Sequence, residues 1–415
     1  MLMTERVEAA SPSAAVPKAG PESAGIATKL PSLTGLRWLA AFLVFGFHVG
    51  TLDLIQTPSY HHKWDMVFGG GASGVSFFFV LSGFVLVWSA RSDDTVFRFW
   101  RRRLAKIYPT HVVMWVVIIA VAALWWGDSI RHDYAVGGFF LLQPWINYKD
   151  FPYSINPVSW SLGCEAFFYL CFPLVLPLVK RSGVRLLYVL AGLMVVLIYG
   201  AALYRLRLPV HYQYWFVYMF PPVRSLEFWL GVFVGELVVR RRWNGPGLWV
   251  STVIAVAVYT SVGDVGWFPI HAGHDWGAAN LAAAFVLLIA GAAMADIGGE
   301  ASPWRHPILV WLGEVSFAFY MVHVFLIQTV LRELGRPGRG WGVGSAVFVI
   351  PAFLGAALVL AWLLHRFVEM PMMRLLGPKR RRPAVAEESD SLSAARTDSQ
   401  RPVGSEPEAV TPGGP

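Results

Sequence analysis

The sequence predicts an all-α, polytopic membrane protein. Apolar residues make up 56% of the chain against 14% charged. The mean hydropathy is +0.52. The apolar residues also fall in runs of about 20, the length that crosses a bilayer as a helix. For 415 residues these observations displace the usual reading of two or three soluble domains.

The elements follow in order. Residues 1–30 mix Ala, Ser, Pro and Glu without the apolar core of a cleavable signal, so a disordered tail is expected and the first span serves as its own insertion signal. The body, 31–376, divides into ten expected spans: 34–56, 70–89, 107–126, 157–179, 185–203, 217–239, 247–262, 278–297, 308–331 and 343–366. The piece 135–146 is too short to cross and is expected to lie at the interface or re-enter. Residues 377–415 start with Lys379, Arg380, Arg381 and Arg382 and continue in Pro, Ser, Glu and Gly, a second disordered tail by composition.

The net charge of +8 resides in short clusters between spans, where it sets topology and implies no nucleic-acid partner. Arg91, Arg98, Arg101 to Arg103 and Lys106 follow the second span, Lys180, Arg181 and Arg185 the fourth, and Arg240 to Arg242 the sixth. The alternate loops are sparse, so both termini are expected in the cytoplasm and the protein in the inner, cytoplasmic membrane. Arg332, Arg336 and Arg339 go against this count, which puts the placement of spans nine and ten in question. Cys164 and Cys171, seven residues apart on one expected helix, are too far apart to bridge.

Ionisable groups at bilayer depth are costly, and each marks a candidate site. Arg37 and His48 are eleven residues apart, so on one helix they point within about 20° of each other and about 16 Å apart along the axis. The guanidinium suits a phosphate near the cytoplasmic mouth and the imidazole a proton acceptor further in. The bland account is a snorkelling Arg and a satisfied interior His. Ser161, Glu165 and Tyr169 recur every four residues as a polar stripe. At the depth of His48, Glu165 either orients the imidazole or serves as protonated interhelical glue. Ser316, Tyr320 and His323 form a similar face on span nine, with His323 a structural or acceptor-binding group.

Arg224 and Glu227 read as an intrahelical ion pair, and Glu369 as a salt-bridge partner of Arg366 or Arg374. The Gly-rich stretch from Gly69 to Phe84 suits close helix approach. The basic run from Arg98 to Lys106 is either a lipid-facing patch or a nucleotide-phosphate site. His61-His62 and the His271, His274, Asp275 group read as loop residues with no site. No metal or nucleotide motif is present, so no metal and no permanently bound cofactor are expected.

Taken in order, Arg37 with His48, Gly71 to Phe84, Arg103 to Pro109, Trp160-Ser161-Leu162 with Glu165 and Tyr169, Ser316 to His323, and Val368-Glu369-Met370-Pro371 resemble the acyltransferase 3 family of membrane acyltransferases, across about residues 31–375. The resemblance implies a ten-span enzyme that moves an acyl group from acyl-CoA, a cosubstrate, onto a hydroxyl of a sugar, glycoside or secondary metabolite. It implies catalytic roles for His48 and Glu165, donor binding by Arg37, Arg103 and Lys106, and substrate binding by Trp160, Ser161, Tyr169, Tyr320 and His323. The partners implied are the lipid bilayer, acyl-CoA and the acceptor. One departure stands out: the family shows Arg-x-x-Arg where this chain has Arg103-Leu104-Ala105-Lys106, a point charge in place of the second bidentate fork. The opening Leu30-Pro31-Ser32-Leu33-Thr34-Gly35-Leu36-Arg37 is similar to the branch in antibiotic-producing actinobacteria that acts on macrolides. The competing class is a transporter that uses the same buried charges as a pathway.

Overall fold

The computed structural model describes residues 29–91, 94–262, 274–335, 339–376 and 414. Both expected tails, including Lys379 to Arg382, lie outside the described residues, apart from Lys29, Leu30 and Gly414, as do Arg336, His271 and the side chains of His274 and Asp275.

Fourteen α-helices occur among the described residues, and no strands. They are α1 (Pro31–Thr51), α2 (Pro58–Phe68), α3 (Gly74–Trp88), α4 (Val96–Ala120), α5 (His132–Phe139), α6 (Trp160–Arg181), α7 (Val184–Tyr204), α8 (Val210–Tyr218), α9 (Pro221–Val239), α10 (Leu248–Val262), α11 (His274–Gly298), α12 (Pro307–Glu333), α13 (Val343–Leu364) and α14 (Met370–Leu376). Each of the ten expected spans falls on a helix. Among the described residues, eight helical stretches are long and apolar enough to cross a membrane. The other two expected spans are α10, only 15 residues long, and α9, which carries Arg224, Glu227 and Glu236. The expected short piece is α5 followed by a 3₁₀ turn.

Proline at the first helical position starts α1, α2, α9 and α12, where its missing N–H costs nothing. α2 is a correction to the sequence reading. His61 and His62 sit on a helix, where His61 makes an i,i+4 pair with Asp65 (3.0 Å) and its Nδ1 bonds the Ile55 carbonyl; His274 and Asp275, also read as loop, begin α11. The polar composition of this segment hid it from an apolar-run search.

Two helix pairs form the centre of the bundle, α3 with α9 and α1 with α12. Both approach closely because glycines face backbone. A Cβ on Gly83 would strike the Phe228 carbonyl, and one on Gly231 the Val80 carbonyl. Gly313 sits the same way on Thr34, and Gly71 on Leu43. In lipid, where burial of apolar surface does not drive helices together, such contact supplies the association. α7 and α13 form the skin: Val189, Val196, Val347, Phe348 and Val359 are exposed, a surface that only a bilayer satisfies.

Long-range bonds assign the loops to two faces. The chain after α1 bonds the chain before α13, Gln56 N to Trp341 O at 3.1 Å and Trp341 N to Leu54 O at 2.9 Å. Asp128 holds Arg332 through both guanidinium nitrogens at 2.6 and 2.9 Å, and Arg332 also stacks on Trp126. One of the three cations that run against the charge count, Arg332, is thus ion-paired, and helices α12 and α13 stand at the expected positions of spans nine and ten. On the opposite face Asp296 accepts from Ser32 N (2.9 Å), Ser32 Oγ (2.7 Å) and Arg305 Nε (2.5 Å). Arg101 donates to the Leu376 carbonyl at 2.7 Å.

Candidate active site

A cavity of about 140 Å³ opens among α1, α3, α4, α6 and α12. Its apolar wall comes from α3, with Val75, Phe78 and Leu86; its polar wall holds Arg37, Arg103, Lys106, Glu165, Tyr169 and Ser161. Helical spacing explains the convergence. Arg103 and Lys106 are three apart on α4, and Ser161, Glu165 and Tyr169 four apart on α6, so each set shares one face. The basic run therefore divides. Arg103 and Lys106 turn into the cavity, while Arg101 stays exposed and Arg102 pairs with Asp94.

Glu165 accepts a hydrogen bond from Tyr169 Oη at 3.0 Å, and Tyr169 meets Ser82 Oγ at 3.2 Å. Against this carboxylate stand three cations. Among the described residues none of Arg37, Arg103 and Lys106 has a hydrogen bond or a salt bridge within 4.0 Å, and Arg103 Nε is buried without a partner. Arg103 contacts Phe99 through its guanidinium face, 5.7 Å from the ring centre. A surplus of unpaired positive charge in a low-dielectric cleft is an anion site.

Glu369 is the residue that sequence reasoning set aside. It is buried, and its partner is His365 (3.0 Å) rather than Arg366 or Arg374. A π-helical turn, His365–Glu369, turns it inward. A carboxylate in a π-helical turn has no sequence signature, since the turn depends on packing.

Ser161 Oγ and Tyr320 Oη meet at 2.9 Å, and with Ser316 and Phe317 they line the end of the cavity. One turn beyond Tyr320 lies His323, fully buried, with its Nε2 3.1 Å from His48 Nδ1. The expected juxtaposition of His48 with Glu165 is therefore not what the fold builds. Glu165 bonds Tyr169, and the neighbour of His48 is a second histidine. Neither histidine lines the cavity itself. Trp160 also stays outside it, packed on Tyr218 with ring centres 5.0 Å apart. Arg224 and Glu227 form the expected ion pair at 2.8 Å, both buried. Cys164 and Cys171 are free.

The arrangement offers an anion cradle at one depth of the bundle and an imidazole pair at another. Comparison with known proteins agrees in kind. Residues 30–366 match the acyltransferase 3 acyltransferase domain. Acyltransferase MdmB of Streptomyces mycarofaciens is 38% identical over 374 residues, covering 86% of this chain and 94% of that protein. Peptidoglycan O-acetyltransferase OatA of Listeria monocytogenes is 29% identical over 161 residues, 35% of this chain and 24% of that protein. No solved structure matches. With the family match spanning most of the chain and a relative of such coverage, the protein belongs to the acyltransferase 3 family and is a membrane O-acyltransferase.

Proposed function

We propose that the protein transfers an acyl group from acyl-CoA to a hydroxyl of a sugar, glycoside or secondary metabolite, with His48 as general base. The observation that carries this reading is the set of three cations, Arg37, Arg103 and Lys106, facing a cavity without ion-pair partners among the described residues. Phosphates of the donor supply the missing charge, with Arg37 and Arg103 as bidentate holders and Lys106 as a point charge. Arg37 and His48 are about 16 Å apart along α1, a span for the slender thiol arm to cover past Tyr320.

At the reacting centre His48 Nε2 takes the proton of the acceptor hydroxyl as its oxygen attacks the thioester carbonyl. The C–O bond forms, the C–S bond breaks, and the departing thiolate takes the proton back from His48. Glu165 and Tyr169 balance the cations around the donor. Exclusion of water from the bundle protects the thioester from hydrolysis. In this proposal the face bearing Arg101, Arg181 and Arg240 is cytoplasmic, the protein lies in the inner membrane, and donor enters from that face.

The test is His48→Ala in detergent-purified protein, with thiol release from acetyl-CoA measured with and without a panel of hydroxyl-bearing glycosides, macrolides included. Acceptor-dependent release is expected to fall at least 10³-fold, the scale on which removal of a base acts, with thermal stability unchanged. Undiminished release in the folded variant overturns the assignment.

A further inference from the structure

We propose that His323 is a positioning residue that fixes the tautomer and direction of the His48 ring; this rests on the reading of His48 as the base.

The hydrogen-bond partners leave one consistent arrangement of protons, assigned from neighbours as it must be for imidazoles. His323 Nδ1 lies 2.9 Å from the Tyr320 carbonyl and 3.1 Å from the Phe319 carbonyl. Both are acceptors only, so Nδ1 carries the proton and, in the neutral ring, Nε2 carries the lone pair. His48 Nδ1 lies 2.9 Å from the Val44 carbonyl and 3.1 Å from that lone pair. It too meets acceptors alone, so its proton sits on Nδ1 and is shared between them. The lone pair of His48 is thereby placed on Nε2, for which no partner is found among the described residues. The opposite arrangement, with His323 donating from Nε2, would turn three backbone carbonyls towards ring lone pairs.

The His323 ring is held in place. It is fully buried, lies nearly parallel to Phe319 at 6° with centroids 5.5 Å apart, and has Phe45 at 6.3 Å. A ring so fixed can neither rotate to substrate nor leave His48 free to flip. Its place is that of the orienting group in a catalytic triad, with a neutral imidazole in the role a carboxylate fills elsewhere. When His48 takes the acceptor proton, its Nδ1–H bond to His323 Nε2 strengthens, which favours the charged ring only while it stays aligned. His323 keeps its own proton throughout, and the proton balance is that of the transfer step alone.

The variants that test this are His323→Gln and His323→Asn, measured with acetyl-CoA and the glycoside most active with the native enzyme. Glutamine places an acceptor oxygen near the position of Nε2, while asparagine reaches only that of Nδ1 and loses the contact with His48. For His323→Asn we expect kcat to fall about 10²-fold or more, with KM for acetyl-CoA within about twofold, since loss of an orienting group removes transition-state and not ground-state stabilisation. His323→Gln is expected to recover to within about tenfold of native kcat. Equal activity of the two variants, at either level, overturns the proposal and leaves His323 a packing residue. If His48→Ala is inactive while His323→Asn is fully active, only the positioning role fails; if His48→Ala is active, the base reading itself fails. Should either variant not fold, ¹⁵N-histidine spectra of the native protein decide, with signals assigned against His48→Ala: both rings must show the Nδ1–H tautomer, and an Nε2–H signal from either overturns the proposal.

Discussion

At the scale of single residues, buried polar side chains in this protein are of two kinds. Asp296 is of the first: three donors saturate it, and its bond to Ser32 N replaces a cap that α1 lacks of its own. Asp296→Ala takes the carboxylate from Arg305, which keeps the Ala295 carbonyl (2.6 Å), and leaves the helix start uncapped. It is expected to cost about 3 kcal/mol, the scale of breaking one partner out of a buried ionic network, seen as a lowered Tm in detergent without change in KM. Arg37, half-buried against the cavity, is of the second kind, a charge kept without a bonded partner among the described residues. Arg37→Ala removes an unpaired cation, so stability is expected to hold or rise while KM for acetyl-CoA rises about tenfold or more. Arg37→Lys is expected to restore only part, because an ammonium lacks the planar fork. Titration of acetyl-CoA by isothermal calorimetry checks both; native affinity in Arg37→Ala would remove this residue from the donor site.

At the scale of helices, contact between backbones determines which ones pair. Gly83 and Gly231 are reciprocal: at each, the space a side chain would take is occupied by the backbone of the other helix. Gly231→Val is expected to push α3 from α9 and destabilise the bundle by several kcal/mol, in the range of overpacked or strained sites, with loss of monodisperse protein on size exclusion. Gly192→Ala on α7, where a Cβ meets nothing within 4 Å, is the matched control and is expected to be neutral or slightly stabilising. The polar stripe of α6 was legible from its four-residue spacing, as was the Ser316, Tyr320, His323 face of α12, since a 3.6-residue period is a property of the chain alone. The helix α2 and the π-helical turn at His365–Glu369 were not: the first is too polar for a hydropathy search, and the second is a hydrogen-bond shift imposed by neighbours.

At the scale of the whole molecule, charge distribution and loop pairing describe one topology. Long-range bonds join the loop after α1 to that before α13, and Arg101 to Leu376, so each of these pairs of segments lies at one end of the bundle. With the proposed orientation, Arg181→Cys is expected to react with membrane-impermeant maleimide only from the cytoplasmic side and Lys63→Cys only from the other. Both positions are exposed, and labelling of Lys63→Cys from the cytoplasm would reverse the assignment. The all-α class and the positions of the apolar spans came from composition and period, because the bilayer demands long apolar helices whatever their neighbours. Which side chains meet did not. Depth alone paired His48 with Glu165; the packing of α1 on α12, close enough for Gly313 to rest on Thr34, gave His48 to His323 and left Glu165 among the cations. Depth is a one-dimensional quantity that hydropathy encodes, whereas neighbour choice depends on how helices rotate and stack, and that is decided only when their surfaces interlock.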